Sequence, residues 1–167
     1  MDAETLRAKQ KPLKDRYKED PAAARVTSVA SGRVRGDDVA IDVAGWNGTI
    51  TAGLHPSTGG DGSQACSADV LLRALVSCTG VTLKSVATAM GVELRDAEIA
   101  AEGDWDARGT LGMSKDTPVG ITAIRLKVRL DTDADDKTQA KLLELTERFC
   151  VIYQTLKTPP TLTLERS

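Results

Sequence analysis

The 167-residue sequence contains few side chains suited to nucleophilic or metal-binding chemistry at neutral pH. They include three cysteines, Cys66, Cys78 and Cys150, and one histidine, His55. Cysteine thiolates act as nucleophiles and metal ligands, and cysteine pairs form disulfides. An odd number of cysteines is not typical of the disulfide framework of a small secreted protein. In a reducing compartment an isolated cysteine is most often a small buried hydrophobic residue, and the residue types alone favour that interpretation.

The spacing of these residues does not predict a metal site. Zinc sites usually pair ligands about two to four residues apart, whereas Cys66 and Cys78 are 12 apart. His55 precedes Pro56 in a glycine-rich segment, and we expect it to pack within that loop rather than to act as a ligand or a base. The sequence therefore gives no reason to expect a metal or another cofactor.

Two other catalytic motifs are not matched. Residues 59–62, Gly-Gly-Asp-Gly, precede a predicted helix and offer N–H groups to an anion. They lack the Gly-Lys-Ser/Thr end of a phosphate-binding loop. The sequence also contains no Gly-x-Ser-x-Gly segment, which many serine hydrolases carry. Neither a nucleotide site nor a serine-hydrolase site is indicated.

Charge and composition argue against two classes of partner. The 22 Lys and Arg against 24 Asp and Glu give a formal net charge of −2, whereas nucleic acids and anionic membranes bind proteins with a basic excess. No run of about 18 apolar residues predicts a membrane span, and the polar, acidic residues 1–5 are not typical of a signal peptide. We expect a cytoplasmic protein with no nucleic-acid or membrane partner.

The chain begins with a charged segment, residues 1–23, which we expect to precede a single domain over residues 24–167. Pro12 lacks a backbone N–H, so we expect only one or two short helical turns in the charged segment.

The first part of the domain is rich in β-branched residues. Turn signals such as residues 45–48 separate the runs, and residues 52–66 are predicted to be an irregular glycine-rich loop. The runs predict an antiparallel meander of three strands, at residues 25–30, 39–43 and 49–51.

The clearest element is a helix over residues 67–90. Ser67 is a suitable N-cap, Asp69 suits the first turn, and Gly91 supplies a stop. Apolar residues cover nearly the whole circumference, which is typical of a helix buried on all sides. At about 1.5 Å per residue such a helix is roughly 36 Å long. Because one chain of this size covers so long a helix poorly, we expect a second subunit to help.

The remaining elements complete an α+β pattern, because strands and helices do not alternate as in a doubly wound sheet. The predicted order is βββ-α-ββ-α-α-β. Its later members are strands over residues 92–105 and 120–130, helices over 135–149 and 150–156, and a last strand over 161–164.

Two cysteine-containing segments resemble known motifs. Residues 69–83, DVLLRALVSCTGVTL, resemble the central helix of the OsmC/Ohr family of osmotically inducible and organic hydroperoxide resistance proteins. Residues 150–156, CVIYQTL, resemble the family's second cysteine motif, which is commonly CPVSQTL. The order of the motifs and their separation of about 70 residues agree with the family, and the resemblance extends over residues 24–166.

The resemblance implies a thiol peroxidase for organic hydroperoxides or hydrogen peroxide. Cys78 would attack the peroxide and become a sulfenic acid, and Cys150 would condense with it to a disulfide. A dithiol reductant would reopen that disulfide. The resemblance also implies an OsmC-like fold, with antiparallel sheets around long central helices in an intertwined homodimer, and with the sites at the subunit interface.

The position of Cys78 requires an additional group that stabilises a thiolate. Burial raises a thiol pKa, and the helix dipole acts only near the first turn. The resemblance supplies an arginine after the first strand, in a turn that reads TGGR in the family. Ala30-Ser31-Gly32-Arg33 resembles that turn and assigns the role to Arg33. Arg35 is the nearby substitute, and the alternative is that Arg33 is a solvated surface residue.

One position departs from the family pattern. The family glutamate ten residues before the first cysteine corresponds to Ala68, and Asp69 lies one residue later, about 100° around the helix. This departure leaves three alternatives. Either Asp69 reaches the arginine in a different geometry, or another group holds the arginine, or the peroxidase activity is weak. The alternative function is a binding module for a small apolar or electrophilic ligand, with the cysteines as packing residues. Cys66 has no family role, and we expect an inert loop cysteine rather than an alternative resolving thiol.

Overall fold

The computed structural model describes residues 1–45 and 48–166. Its helices and strands confirm the predicted α+β class. In chain order the elements are α1 (Ala3–Glu19), β1 (Ser31–Val34), β2 (Ala40–Gly45), β3 (Gly48–Gly53), β4 (Ala65–Cys66), α2 (Ser67–Met90), β5 (Asp96–Asp104), α3 (Ala107–Thr110), β6 (Ala123–Asp131), α4 (Asp136–Phe149) and α5 (Val151–Lys157).

The N-terminal segment is one continuous 17-residue helix, so the prediction of one or two short turns was wrong. Asp2 caps α1 by accepting the Thr5 N–H at 2.7 Å, and Pro12 lies within the helix. Proline removes only one intrahelical hydrogen bond, while the Ala, Leu, Lys, Arg and Glu residues around it favour a helix. Lys11 and Asp15 also form an ion pair one turn apart across this position.

Strands β1, β2 and β3 form the predicted antiparallel meander, and the short β4 runs parallel to β3. The first strand is β1 rather than residues 25–30, which form no strand. The paired register between β1 and β2 begins with Ser31 opposite Ala44 and ends with Val34 opposite Ile41. The predicted turn at 45–48 includes residues 46 and 47, which lie outside the described residues.

Helix α2 has the predicted bounds, and Gly91 follows it with a φ of +70°, the left-handed conformation that ends many helices. Its buried residues are Leu75, Thr79, Leu83 and Ala87, which recur every four residues on one stripe. Val81, by contrast, is 73% exposed. This chain alone does not bury α2 on all sides, and the second subunit stays a prediction.

By length and composition α2 is also the one helix in residues 1–45 and 48–166 that is long and apolar enough to cross a membrane. The core helix of a soluble protein can have the same length and composition, and α2 has one buried stripe of residues, as such a core helix does.

The hydrophobic core lies where α2, α4 and the β5–β6 hairpin meet. Leu83, Ala87, Leu94 and Leu142 form its buried centre, and residues of the hairpin's inner face pack against it, namely Ala97, Ile99, Val128 and Leu130. The outer face of the hairpin is charged, and Arg129 pairs with Glu98 there at 2.6 Å. The period of two along β5 and β6 therefore separates the core face from the solvent face.

Helices α4 and α5 agree with the predicted helices to within a residue. The predicted strand over residues 161–164 was wrong, because that segment forms no strand and both of its leucines, Leu162 and Leu164, are fully exposed. Alternation alone does not make a strand when no neighbouring strand offers hydrogen bonds.

The chain divides into two compact units. One comprises residues 1–20, 74–100 and those from Leu126 onward, and it holds the hydrophobic core. The other comprises residues 21–73 and 101–125, and it holds the four-stranded sheet. The predicted division into segment 1–23 and a single domain 24–167 stays a prediction.

Candidate functional site

Helix α2 positions Cys78 in its middle, within the unit that holds the core. The Cys78 thiol is partly exposed and free. Thr82 lies one helical turn later on the same side, and its hydroxyl is close enough to the Cys78 sulfur to lower its pKa. The attacking residue predicted from the sequence is thus chemically accessible.

The junction between α4 and α5 positions Cys150, which is 1% exposed. Its N–H donates to the Thr146 carbonyl at 3.0 Å, which completes α4. Its backbone then turns to an extended conformation, with φ −76° and ψ 110°. The Cys150 sulfur accepts the Tyr153 N–H at 3.5 Å and so caps α5. One residue therefore ends one helix and begins the next.

The junction brings Cys150 and the start of α5 against Cys78. The Cys150 thiol and the backbone N–H groups of Ile152 and Val151 lie close enough to the Cys78 sulfur to lower its pKa. N–H groups in the first turn of a helix have no acceptor within the helix, so they are available to an external anion. The two predicted thiols are thus neighbours within one compact unit.

These contacts set the ionisation of Cys78. Burial raises its pKa, but the hydrogen bonds from the Ile152 N–H, the Cys150 thiol, the Val151 N–H and the Thr82 hydroxyl outweigh burial and hold the pKa below the ordinary value of 9.0. The expected stabilising group was a cation, yet these donors are backbone amides and neutral side chains. A larger thiolate fraction makes Cys78 more reactive at neutral pH.

Arg33 and Asp69 lie in the other compact unit, Arg33 on β1 and Asp69 in the first turn of α2. Both are exposed, and within the described ranges neither side chain makes a hydrogen bond or an ion pair, including with each other. The substitute residue Arg35 pairs with Asp42, with Nε 3.5 Å from Oδ2. The roles assigned to Arg33 and Asp69 stay predictions.

Cys66 and His55 do not contribute to this thiol pair. Cys66 is a partly exposed free thiol on β4, opposite Gly53 of β3. The His55 Nδ1 accepts the Ser57 N–H at 3.0 Å, and its ring meets Trp105 edge-on with centroids 5.3 Å apart, so it packs in its loop as expected. In the part of the chain that the structure describes, no three His, Cys, Asp or Glu residues are grouped as metal ligands.

A shallow open depression lies over the α4–α5 junction. Its lining includes Arg148, Phe149, Val151 and Pro160, together with Cys150. The Phe149 ring carries the Arg148 guanidinium at 5.4 Å from its centroid and is more than half exposed. The surface beside the buried thiol is therefore largely apolar, with one cation at its edge.

Sequence reasoning found both thiols but missed the donors to Cys78. Backbone N–H groups carry no side-chain signature, so only the predicted helix start after Cys150 pointed to them. The Thr82 hydroxyl was discoverable in principle, because residues four apart share a helix face.

Comparisons with known proteins agree with the observed fold. The profile of a family described as OsmC-like protein matches residues 60–165. The solved structure of an OsmC-like protein from Mycoplasma pneumoniae is similar, with a TM-score of 0.67 and 14% identity over 80% of this chain and 89% of that chain.

Two further similar structures are described as organic hydroperoxide resistance proteins. The one from Legionella pneumophila has a TM-score of 0.62 and 14% identity over 81% of this chain and 92% of that chain. The one from Elizabethkingia anophelis has a TM-score of 0.65 and 12% identity over 81% and 91%. No curated protein matches the sequence. At these identities the structural similarity shows the fold.

Proposed function

The chain belongs to the OsmC-like protein family, and from that membership we propose that it is a thiol-dependent peroxidase that reduces organic hydroperoxides or hydrogen peroxide. The observation that carries the proposal is the contact between the partly exposed Cys78 sulfur, the Cys150 thiol and the first amides of α5, which lowers the pKa of Cys78. The description of two similar structures as hydroperoxide resistance proteins supports the substrate class.

In the first step the Cys78 thiolate attacks one peroxide oxygen. The O–O bond breaks, the sulfur is oxidised to a sulfenic acid, and the alkoxide takes a proton and leaves as an alcohol, or as water from hydrogen peroxide. Arg33 is proposed as the cation that stabilises the thiolate, as the resemblance implies, and Asp69 as the carboxylate that would hold it.

In the second step the Cys150 sulfur attacks the Cys78 sulfenic acid. A sulfur–sulfur bond forms and the hydroxyl leaves with a proton as water. Because Cys150 already contacts Cys78, the reaction needs little movement of either helix. The rapid closure would protect Cys78 from further oxidation to the sulfinic acid.

In the third step an external dithiol returns the pair to the reduced state. Two exchange reactions transfer two electrons, so the dithiol leaves as a disulfide and both protein thiols are regenerated. We further propose that the protein acts as a homodimer in the cytoplasm, where its thiols stay reduced between turnovers. OsmC-like proteins are generally soluble, which agrees with this location.

A second candidate is a catalytically weak module that binds a small apolar or electrophilic ligand. It is favoured by Ala68 at the position of the family glutamate, and by the unpaired side chains of Arg33 and Asp69 in the described ranges. The lowered pKa of Cys78 weighs against it, because a cysteine kept only for packing would have a raised pKa.

Turnover of the single-cysteine variants distinguishes the two candidates. With cumene hydroperoxide and a dithiol, Cys78→Ser should abolish peroxide consumption. Cys150→Ser should lose sustained turnover, while Cys78 accumulates sulfinic and sulfonic acids. Cys66→Ser is the matched control and should retain wild-type turnover. Equal residual activity in the Cys78 and Cys150 variants would contradict the assigned roles, and an inactive wild-type protein would favour the binding module.

A further inference from the structure

Thr79 is a buried hydroxyl residue whose partner is a sulfur atom. It lies on the buried stripe of α2 and is 2% exposed. In the described part of the chain its hydroxyl makes one hydrogen bond, with the Cys150 sulfur, at 3.7 Å between Oγ1 and Sγ. A buried hydroxyl without a partner would be costly, so this contact satisfies Thr79.

The usual partner of a helical threonine is different. Thr88, Thr146 and Thr155 each donate to the carbonyl four residues earlier in their own helix, at 2.8 Å. Thr79 makes no such bond, although Leu75 lies four residues before it. Its hydroxyl is instead directed at the sulfur of Cys150, at the junction between α4 and α5.

The Cys150 sulfur thus has two neighbours, the Tyr153 N–H, which donates to it at 3.5 Å, and the Thr79 hydroxyl. Either partner of the Thr79–Cys150 pair can donate when Cys150 is a thiol, but only the hydroxyl can donate once Cys150 is a thiolate. Hydrogen bonds donated to a sulfur stabilise its thiolate, and a stabilised thiolate leaves faster in thiol–disulfide exchange. Because donors also stabilise the Cys78 thiolate, exposure decides which sulfur is attacked. Cys78 is partly exposed, whereas Cys150 is 1% exposed, so an external thiol can reach only Cys78.

We propose that Thr79 is a positioning residue that holds the Cys150 sulfur as the leaving thiolate, so that the external dithiol attacks the Cys78 sulfur. The inference rests on the proposed function. One thiolate of the dithiol forms a bond to the Cys78 sulfur, the Cys78–Cys150 bond breaks, and Cys150 leaves with the electron pair. The second thiolate of the reductant then displaces the Cys78 thiolate, and protons from water neutralise the released thiolates.

Chemical oxidation makes the test independent of peroxide. Diamide takes up two hydrogen atoms from a thiol pair and joins the sulfurs. The disulfide is then reduced with dithiothreitol and followed by acid quenching and mass spectrometry. Thr79→Val removes the hydroxyl and keeps the shape, and we expect its reduction to be about three- to tenfold slower than wild type.

Two variants serve as controls. Thr79→Ser keeps the hydroxyl, and we expect it to restore the rate to within about twofold of wild type. Thr146→Val removes another buried hydroxyl of the same unit, one that bonds only its own helix, and should leave the rate unchanged. An unchanged rate in Thr79→Val, or an equally slow Thr79→Ser, would overturn the proposal.

A monothiol checks the direction of attack. Glutathione added to the wild-type disulfide should be found by peptide mapping on Cys78, with Cys150 as the free thiol. Glutathione on Cys150 would overturn the proposal. If diamide joins the thiols and Thr79 behaves as expected while peroxide does not oxidise the protein, the peroxidase proposal fails and the role of Thr79 stands. If diamide does not join the two thiols, both fail.

Discussion

At the residue scale, the environment of Cys78 depends on the first two amides of α5. Val151 is 69% exposed, so its side chain contributes little packing, and its N–H donates to the Cys78 sulfur. The preceding residue, Cys150, has the extended backbone that residues before proline favour. Proline is also well tolerated at the first position of a helix, and it commonly follows the cysteine in the resembling motif.

Val151→Pro therefore tests the amide contribution without removing a helical hydrogen bond. Losing one donor should raise the pKa of Cys78 toward its ordinary value. Because the thiolate is the reactive form, alkylation near pH 7 should slow, and half-maximal reactivity should shift to higher pH. The measurement is the rate of Cys78 alkylation by iodoacetamide across pH, with the adducts located by mass spectrometry.

The matched control is Val151→Ala, which keeps the N–H and should retain the wild-type profile, with half-maximal reactivity below pH 9.0. A Cys78 profile that does not move in Val151→Pro would show that the amide is not a source of the shift. A wild-type profile centred above 9.0 would contradict the lowered pKa itself.

The sequence predicts some residues of the candidate site better than others. Cys78 and Cys150 follow from two motifs, because each is a side chain within a characteristic pattern. The amide donors do not, since a backbone N–H belongs to nearly every residue and only the fold decides where it points. A cation was expected near Cys78 because these amides could not be foreseen from the sequence. The amides and neutral side chains suffice to lower the pKa of Cys78.

At the element scale, the core joins α2 to α4 through a few large side chains. Leu142 of α4 is fully buried and packs with Leu83 and Ala87 of α2 and with Leu94. Leu143 is its neighbour in sequence but is 37% exposed. Since successive residues of a helix point about 100° apart, only one of the two leucines enters the core.

Truncation of these two leucines should have unequal effects. Leu142→Ala should lower the free energy of unfolding by about 2–5 kcal/mol, because it leaves a cavity in a closed cluster. Leu143→Ala should cost about 1 kcal/mol or less. Urea unfolding followed by circular dichroism measures both values. Equal losses in the two variants would contradict the arrangement of α4 in the core.

The elements that the sequence predicted well are those with long patterns. The bounds of α2 were predicted well, because a long, mainly apolar segment ends at Gly91. The prediction of a strand from the short alternating segment 161–164 was wrong, since a strand needs a partner that the segment itself does not specify. The prediction that Pro12 would limit the N-terminal segment to short turns was wrong, because many residues that favour a helix outweighed one unfavourable residue.

At the scale of the whole molecule, α2 exposes apolar side chains that a single chain leaves uncovered. Val81 is 73% exposed although it lies in the middle of the most apolar helix. A contiguous exposed apolar patch is typical of an interface, and we propose that Val81 belongs to one. The proposed homodimer would cover it with a second copy of the chain.

A lysine at this position tests the dimer. Val81→Lys places a charge that would be buried without a partner in the proposed interface, so the variant should sediment as a monomer at micromolar concentrations while the wild type sediments as a dimer. Val119→Lys changes a valine of similar exposure that is not part of α2, and this variant should remain dimeric. A monomeric wild type, or a dimeric Val81→Lys, would contradict the assignment.

Intact-protein mass spectrometry after one equivalent of cumene hydroperoxide tests whether peroxide joins Cys78 to Cys150. The fully reduced protein should lose two hydrogen atoms and consume the peroxide. Non-reducing peptide mapping should then link Cys78 to Cys150 and leave Cys66 free for alkylation. A protein that keeps all three thiols free while the peroxide persists, or that links Cys78 to Cys66 instead, would contradict the proposed disulfide.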